Sequence, residues 1–291
     1  MPSRDVEAPH RGRSSREDAA EQRRAGHEAP GAAAAGLDLV YGRNPVIEAL
    51  RGRRRVHAVL IAAATPDQAL EGALSASASK PVIKRLSAHD LAELTGSADH
   101  QDIAALVDPY VYADPDRLLA ERSLVIALDE IQDPHNLGAV IRTAEAAGAG
   151  VIIPRHRAAQ VTATVVKTSA GATEHAAIAM VRNLADFLQT AKAKGFWVYG
   201  AAAEASSRYT SQDYTYPTVF VVGSEGQGLG KRVGSLCDAM VSLPLAGEVS
   251  SLNASVSAAI LLYEAVRQRD EKARGDVGGF VPRGTNEKET P

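Results

Sequence analysis

Continuous apolar runs dominate the second half of the chain and alternate with segments of helical periodicity. The runs are LVIAL, GVIIP, AAIAMV, FWVYGA, TVFVVG and MVSLPL, all between residues 123 and 245. Continuous rather than alternating apolar character is typical of strands that are buried on both faces of a parallel sheet. Segments such as NLADFLQTAKAKG, residues 183–195, have helical periodicity and end in glycine. The pattern predicts an α/β domain with a parallel sheet over residues 123–269.

A shorter pattern of the same kind occupies residues 37–110. The runs VHAVLIA and DIAALVD are predicted strands. In GRNPVIEALRG, Asn44 and Pro45 are the predicted N-cap and first position of a helix. Ser87 and Gly96 are predicted to begin and end a second helix. These features predict a small α/β domain, which a linker at 111–122 joins to the larger one.

Both ends of the chain differ from these domains in composition. Residues 1–36 and 270–291 contain very few large apolar side chains. Such segments cannot bury enough surface to offset the entropy lost on ordering, so both are predicted to be disordered tails. The arginines of the first tail could form a weak RNA-contacting arm. An equal number of acidic residues favours a solvated tail instead.

Composition limits the possible partners and the compartment. The chain has 291 residues, 45% of them hydrophobic, and a formal net charge of -3, so a nucleic-acid partner would have to be bound by local basic patches. The single cysteine, Cys237, excludes an internal disulfide framework and a multi-cysteine metal site, and is predicted to be a small core residue. The sequence shows neither a membrane-spanning run nor the apolar core of a signal peptide. These features predict a cytoplasmic protein without a membrane partner.

The turn DEIQDPHN follows the first strand of the larger domain. Ligands of open parallel sheets bind beyond the carboxyl ends of the strands, so this turn is a candidate for chemistry. Asn136 is predicted to cap the helix that follows, on which Gly138, Arg142 and Glu145 share one face. Two interpretations remain open: a floor that admits a ligand, or a surface ion pair between Arg142 and Glu145.

Two later turns are also rich in residues suited to binding. VVGSEGQGLG follows a strand and contains glycines whose amides can approach a ligand, together with Glu225, which can accept hydrogen bonds. It matches neither the dinucleotide fingerprint nor a Walker loop. The third turn, within LPLAGEVSSLNAS, contains more polar side chains than capping a helix requires, namely Ser250, Ser251, Asn253 and Ser255.

Taken in order, the three turns resemble the motifs of the SPOUT superfamily of RNA methyltransferases, in its 2'-O-ribose branch. The matching residues are DPHNLGAVIRTAEAAG, VVGSEGQGL and LPLAGEVSSLNASVSAAI. In the smaller domain, VYGRNPVIEALRG and DHQDIAALV resemble the ribosomal-protein-like substrate-binding domain of bacterial 23S rRNA guanosine-2'-O-methyltransferases. The pattern departs from that family where Asp102 follows Gln101 in place of glycine, which puts an acid in a loop expected to face RNA.

The resemblance implies a deep trefoil knot in the larger domain, S-adenosylmethionine (AdoMet) as the cofactor, and a homodimer. It implies an enzyme that methylates a ribose 2'-hydroxyl of RNA, with a guanosine of 23S rRNA as the expected target. By position, it places cofactor contacts at Gly223, Leu243 and Leu252. The catalytic set that it implies is Asn136, Arg142, Glu225, Ser251 and Asn253.

Arg142 is the residue to which the resemblance assigns activation of the hydroxyl. Arginine stays protonated at neutral pH, so stabilisation of a developing alkoxide is chemically easier than a role as base. No metal is expected, because His135 has no partner cluster of histidines or cysteines. Two alternative functions stay open: tRNA ribose methylation, and a ribosome-associated RNA-binding protein without catalytic activity.

The candidate RNA contacts are basic clusters in the smaller domain. Phosphate contacts by such clusters give salt-sensitive affinity. A solvated helix end is the alternative interpretation of the first cluster, but four arginines in a chain of net charge -3 favour RNA. The residues are Arg51, Arg53, Arg54, Arg55, Lys84 and Arg85.

Overall fold

The computed structural model describes residues 36–62, 68–224, 226 and 228–277. Residues 1–35 and 278–291, which make up most of the two predicted tails, lie outside the described residues. Over the described ranges, the secondary structure consists of a smaller and a larger sheet with helices packed on both faces of each. The α/β architecture predicted from the sequence is therefore confirmed.

In the described residues, the smaller sheet has four strands in the order β1-β4-β2-β3. Strand β4 is antiparallel to both neighbours, and β2 and β3 are parallel. In β2, Val59 and Ile61 face one apolar cluster while Ala58 and Leu60 face another, so helices cover both faces. The elements are β1 (Asp38–Tyr41), α1 (Arg43–Arg51), β2 (Val56–Ile61), α2 (Gln68–Ala76), β3 (Val82–Arg85), α3 (Ala88–Thr95) and β4 (Ile103–Val107).

The ends of two helices in this domain test the predicted caps. Ser87 caps α3 as predicted, since its hydroxyl accepts from the Asp90 amide at 3.1 Å, and Gly96 ends the helix in the left-handed conformation. Helix α1 differs from the prediction, because it begins at Arg43 after Gly42, which forms no side-chain cap. Gly42 has a positive φ of 95°, a backbone conformation that favours glycine. The N-cap position is therefore at Gly42 and not at Asn44.

The larger sheet, as described, has seven parallel strands in the order β7-β6-β5-β10-β8-β11-β9. Its strands are β5 (Leu124–Asp129), β6 (Gly150–Pro154), β7 (Ile178–Val181), β8 (Trp197–Ala201), β9 (Ser207–Arg208), β10 (Thr218–Gly223) and β11 (Ala239–Ser242). Its helices are α4 (Pro115–Glu121), α5 (Pro134–Ala146), α6 (Ala163–Thr168), α7 (Leu184–Ala193), α8 (Lys231–Gly234) and α9 (Ala254–Val277).

Burial on both sides accounts for the continuous apolar runs. In β5, Ile126 and Leu128 pack into the cluster formed with α5 and α9, while Val125 and Ala127 pack into the cluster formed with α4 and α7. Because successive side chains of a strand point to opposite faces, consecutive positions in the middle of such a strand are apolar.

Two of the segments predicted to lack regular structure contain helical residues. The predicted linker at 111–122 contains α4, which Asp114 caps by accepting from the Arg117 amide at 2.9 Å, and whose Leu118 and Leu119 are buried. The predicted C-terminal tail begins at residue 270, within α9, which continues to Val277. None of the helices in the described ranges combines the length and apolar character needed to cross a membrane.

Candidate active site

The carboxyl ends of β5, β10 and β11 lie at the same edge of the larger sheet. The strands are parallel and lie in the order β5-β10-β8-β11, so β8 separates β10 from β11. Gly223 at the end of β10 is paired in register with Asp129 at the end of β5. The three polar turns identified in the sequence follow these strands. The structure therefore brings together segments that lie more than 100 residues apart along the chain.

A hydrogen bond joins the first and third turns. The side-chain amide Nδ2 of Asn253 donates to Oδ1 of Asn136 at 2.8 Å. Oδ1 of Asn253 accepts from the Ser255 amide at 2.8 Å, so Asn253 also caps the start of α9. Asn136 is not the cap of α5 that the sequence predicted, since Asp133 accepts from the His135 amide at 2.9 Å and leaves Asn136 inside the first turn.

Arg142 lies on the same helix as Asn136, about 9 Å further along its axis. Its side chain is exposed. No carboxylate among the residues that the structure describes is within ion-pair distance of its guanidinium, and the Arg142–Glu145 pair considered from the sequence is not formed. A guanidinium has five N–H donors in a planar fork, which suits a phosphate or another anionic ligand.

Gly138 does not have the role that the sequence suggested. A Cβ at this position would lie 2.7 Å from Cβ of Thr168 and 3.0 Å from the Ser169 amide nitrogen. The missing side chain admits helix α6 against α5, so the interpretation of Gly138 as part of a ligand floor is wrong. Its effect on the site is indirect, through the close packing that fixes α5.

The loop after β10 folds back tightly against the end of its own strand. A Cβ on Gly223 would lie 2.1 Å from the carbonyl oxygen of Gly228, which leaves room only for glycine. The Gly228 amide donates to the Ser224 carbonyl at 3.0 Å, and Gly226 has a φ of 82°. Glu225, which the sequence places in the catalytic set, lies outside the described residues.

Asp129 holds this loop to the end of β5 and was missed by the sequence analysis. Its Oδ2 accepts from the Gly230 amide at 2.8 Å, and its side chain is buried. Burial raises the pKa of this carboxyl above its usual value. The available signal was an acidic residue at the last position of an otherwise apolar strand.

The segment between β11 and α9, residues 243–253, contains two of the predicted cofactor contacts and one predicted catalytic residue. Leu243 and Leu252 are half-buried, and Ser251 is exposed. Within the described part of the chain, the backbone groups of residues 243–252 form no hydrogen bonds with other backbone groups. Backbone amides and carbonyls beside apolar side chains are groups of the kind that bind a purine nucleoside, so the chemistry of this segment is compatible with AdoMet.

Arg54 is not available as an RNA contact, which corrects the prediction from the sequence. Only 10% of its side chain is exposed. Its Nε donates to Glu174 at 3.0 Å and its Nη1 donates to Asp38 at 2.9 Å. Because Glu174 belongs to the larger domain, Arg54 joins the two domains, and a hydrogen bond between His175 and Glu48 at 2.7 Å lies at the same contact.

The other predicted RNA contacts are exposed but do not form a single patch. Arg53 and Arg55 precede β2, and Arg51 at the end of α1 pairs with Glu48 at 3.1 Å. Lys84 and Arg85 are paired in register with the last two residues of β2. The two clusters therefore lie at opposite ends of the strand, about 17 Å apart.

Two residues singled out in the sequence have no place in the site. His135 is exposed, and over the described ranges no group of three or more histidine, cysteine, aspartate or glutamate residues could hold a metal ion. Cys237 is partly buried, and burial raises the pKa of its thiol to about 11.

Comparison with known families covers most of the described chain. Residues 123–263 match the SpoU rRNA Methylase family. Residues 39–113 match a family described as RNA 2'-O ribose methyltransferase substrate binding. The two matches correspond to the larger and the smaller sheet.

Similar proteins occur in bacteria. The Bacillus subtilis protein YacO, named as a TrmH family tRNA/rRNA methyltransferase, is 38% identical over 240 residues, which cover 80% of this chain and 96% of YacO. A Synechocystis protein named as a tRNA/rRNA methyltransferase is 42% identical over 242 residues. That alignment covers 80% of this chain but only 63% of the Synechocystis protein, so this chain spans less than two thirds of that relative.

Solved structures share the fold. The SpoU methyltransferase AviRb from Streptomyces viridochromogenes, solved with AdoMet, superposes with a TM-score of 0.69 at 29% identity, over 82% of this chain and 92% of AviRb. An AdoMet-bound rRNA methyltransferase from Sinorhizobium meliloti superposes with a TM-score of 0.68 at 25% identity, over 80% of this chain and 88% of that protein. With its fold, its ordered motifs and these relatives, the chain belongs to the SpoU family of AdoMet-dependent RNA methyltransferases.

Proposed function

We propose that this chain methylates a ribose 2'-hydroxyl of RNA and that the target is a guanosine of 23S rRNA, in the cytoplasm. The observation that carries the proposal is the Asn253–Asn136 hydrogen bond at the carboxyl edge of the sheet, on the helix that presents Arg142. The match of residues 39–113 to a 2'-O ribose substrate-binding family supports the choice of reaction.

Arg142 acts on the nucleophile. A ribose hydroxyl is a weak nucleophile at neutral pH, and AdoMet supplies an electrophilic methyl group when it is bound. The Arg142 guanidinium stays charged, so it stabilises negative charge that develops on the 2'-oxygen and grips a neighbouring phosphate with its planar fork. Asn136, about 1.7 turns before it on the same helix, orients the ribose.

The remaining predicted residues position the two substrates. Gly223, Leu243 and Leu252 contact AdoMet, chiefly through backbone groups and apolar surface. Asn253 fixes Asn136 through their hydrogen bond. Glu225 and Ser251 hold the nucleotide from the loops that follow β10 and β11.

In the smaller domain, the exposed basic residues contact RNA phosphates. They are separated by the length of β2, so they bind two parts of a folded RNA rather than one phosphate cluster. The residues are Arg51, Arg53, Arg55, Lys84 and Arg85.

A second copy of the chain completes the enzyme as a homodimer. Val256 and Tyr263, two turns apart on α9, have 45% and 51% of their surface exposed. They form an apolar stripe on the helix whose first residues adjoin Asn253, next to α5. Burying this stripe against a second copy is favourable and places the interface beside the site.

The deep knot is also part of the proposal. After β10 the chain crosses the end of β8 to form β11 and then returns to pack α9 against β5, β10 and α5. The fold-back of the loop at Gly223 and Gly228 is the kind of close crossing that a knotted chain requires.

Methylation assays on defined RNAs test the proposed function. The full chain would be incubated with methyl-labelled AdoMet and with unmodified transcripts of 23S rRNA or of tRNA. We expect label in 23S rRNA, at a guanosine whose 3' phosphodiester resists alkali because its 2'-oxygen is methylated. Label in tRNA alone would show that tRNA, and not 23S rRNA, is the substrate. A labelled nucleotide whose 3' phosphodiester is cleaved by alkali would exclude methylation of the ribose. No label in either RNA would support the non-catalytic alternative.

A further inference from the structure

A group of basic side chains follows β6 and β7 at the carboxyl edge of the larger sheet. Arg155, His156 and Arg157 come directly after β6, and Arg182 comes directly after β7; all four are exposed. We call these four residues the basic edge. They did not stand out in the sequence because they are split between two segments more than 20 residues apart.

The sheet register places the two segments side by side. Pro154 of β6 pairs with Val181 of β7, and the Arg155 amide donates to the Val181 carbonyl at 2.8 Å. Arg155 and Arg182 each follow one member of that pair, so their backbones are separated by about the spacing of neighbouring strands, 5 Å.

The charges of the basic edge are only partly balanced. Arg157 pairs with Glu130 at 3.3 Å. In the part of the chain that the structure describes, neither Arg155 nor Arg182 has a carboxylate within ion-pair distance. Two adjacent positive charges repel each other, and a bound anion would remove that repulsion.

The basic edge is fixed in position beside the candidate active site. Strand β6 is the neighbour of β5, which ends at Asp129. The Arg157–Glu130 ion pair and the hydrogen bond from the Ala159 amide to the Ile131 carbonyl, 2.8 Å, tie the loop after β6 to the loop that leads into α5. An anion at this edge would therefore lie within two or three strand spacings, about 10–15 Å, of the loop that precedes Asn136.

We propose that the basic edge binds backbone phosphates of the substrate RNA next to the target nucleotide. The inference rests on the proposed function, because it concerns the same RNA. Exposed arginines hold phosphates without reading sequence, so the basic edge sets the position of the strand at the active site, while the smaller domain binds elsewhere on the RNA.

The test uses the full chain and an unmodified 23S rRNA transcript, with affinity measured over a range of KCl concentrations. In the variant Arg155→Gln/Arg182→Gln, we expect RNA affinity to fall at least fivefold and the slope of log affinity against log salt to decrease by about one to two. AdoMet affinity should stay at the wild-type value. Arg208→Gln is the matched control: this arginine is exposed on β9, at the other edge of the same sheet, and has no ion pair within the described ranges.

The outcomes separate this inference from the proposed function. An unchanged affinity and salt slope in the double variant would overturn the phosphate-binding role while leaving methylation by the wild-type chain intact. An equal loss in the Arg208→Gln control would also overturn it, since the effect would then reflect overall charge. Failure of the wild-type chain to bind or methylate the RNA would overturn both proposals.

Discussion

Asn253 and Asn136 are hydrogen-bonded at 2.8 Å although 117 positions separate them along the chain. The same Asn253 side chain caps α9 through its other atom, Oδ1, which accepts from the Ser255 amide. One side chain thus fixes the start of the last helix and orients a residue of the candidate catalytic set. The two roles use different atoms, so substitutions can separate them.

Asp and Ala at position 253 should therefore have different effects. Asn253→Asp keeps the oxygen that accepts at the helix cap, so we expect stability to be retained. It loses the amide that donates to Asn136, and the loss of that one hydrogen bond should lower kcat about tenfold. Asn253→Ala loses both, and we expect an additional loss of about 1 kcal/mol in the free energy of unfolding. Urea unfolding and single-turnover methylation check these values. Equal stability of the two variants would contradict the capping role.

Arg142 should be dispensable for the fold and essential for turnover. Its side chain is exposed and has no ion pair in the described residues, so Arg142→Ala should change the free energy of unfolding by less than about 0.5 kcal/mol. We expect kcat to fall at least about 100-fold with AdoMet affinity unchanged. Arg142→Lys should fail similarly, because lysine lacks the planar fork. Near wild-type turnover in either variant would remove Arg142 from the catalytic set.

Gly223 should tolerate no side chain. The Cβ of Gly223→Ala would overlap the Gly228 carbonyl, so we expect the variant to lose about 1–3 kcal/mol of stability and to bind AdoMet weakly. Gly234→Ala is the control, since a Cβ there meets nothing within 4 Å. Thermal unfolding and calorimetric titration with AdoMet measure both effects. A Gly223→Ala protein that binds AdoMet normally would show that the loop can move without loss of the site.

Asp129 should give the fold a specific pH dependence. Because burial raises its pKa, the folded chain binds this proton more tightly than the unfolded chain. Its contribution therefore favours the fold most at low pH and declines as the pH rises from the unfolded value, about 4, through the raised folded pKa. We expect the stability of Asp129→Asn to lack the decline with rising pH that Asp129 causes in the wild type. Urea unfolding midpoints of both proteins between about pH 3.5 and about 7 measure the difference.

Asp129→Ala tests the second role of this residue. Alanine removes the oxygen that accepts from the Gly230 amide, so we expect AdoMet affinity to fall about tenfold. Asparagine would keep an acceptor, so the Asp129→Asn variant should bind AdoMet more tightly than the Asp129→Ala variant. Equal AdoMet affinity in the two variants would show that the contact does not shape the loop.

Arg54 and Glu174 should behave as a coupled pair in stability. Arg54→Met leaves the Glu174 carboxylate buried without its partner, at a cost of about 3–5 kcal/mol, and a second change, Glu174→Met, should recover most of it. Urea unfolding of both single variants and the double variant gives the coupling. If Arg54 contacted RNA instead, Arg54→Met would weaken RNA binding and leave stability unchanged.

The sequence by itself determined the class of the fold and the segments that carry the site. Short, β-branched apolar runs without alternation suit strands that are buried on both faces, as Val125 and Ile126 are, and this local pattern is visible without a structure. The three polar turns were recognisable because each of them follows an apolar run that the sequence marks as a strand. The cap at Ser87 was also predictable, because capping depends on residues within one turn.

Only the tertiary structure decided which polar residues act together. Arg54 looked like part of a basic patch, yet the packing of two domains buried it against Glu174. Gly138 looked like part of a ligand floor, yet it makes room for Thr168. Arg155 and Arg182 meet only through the register of β6 and β7. Strand order and domain contacts bring together residues that are far apart in the chain. Local sequence pattern does not predict which of these distant residues will be in contact.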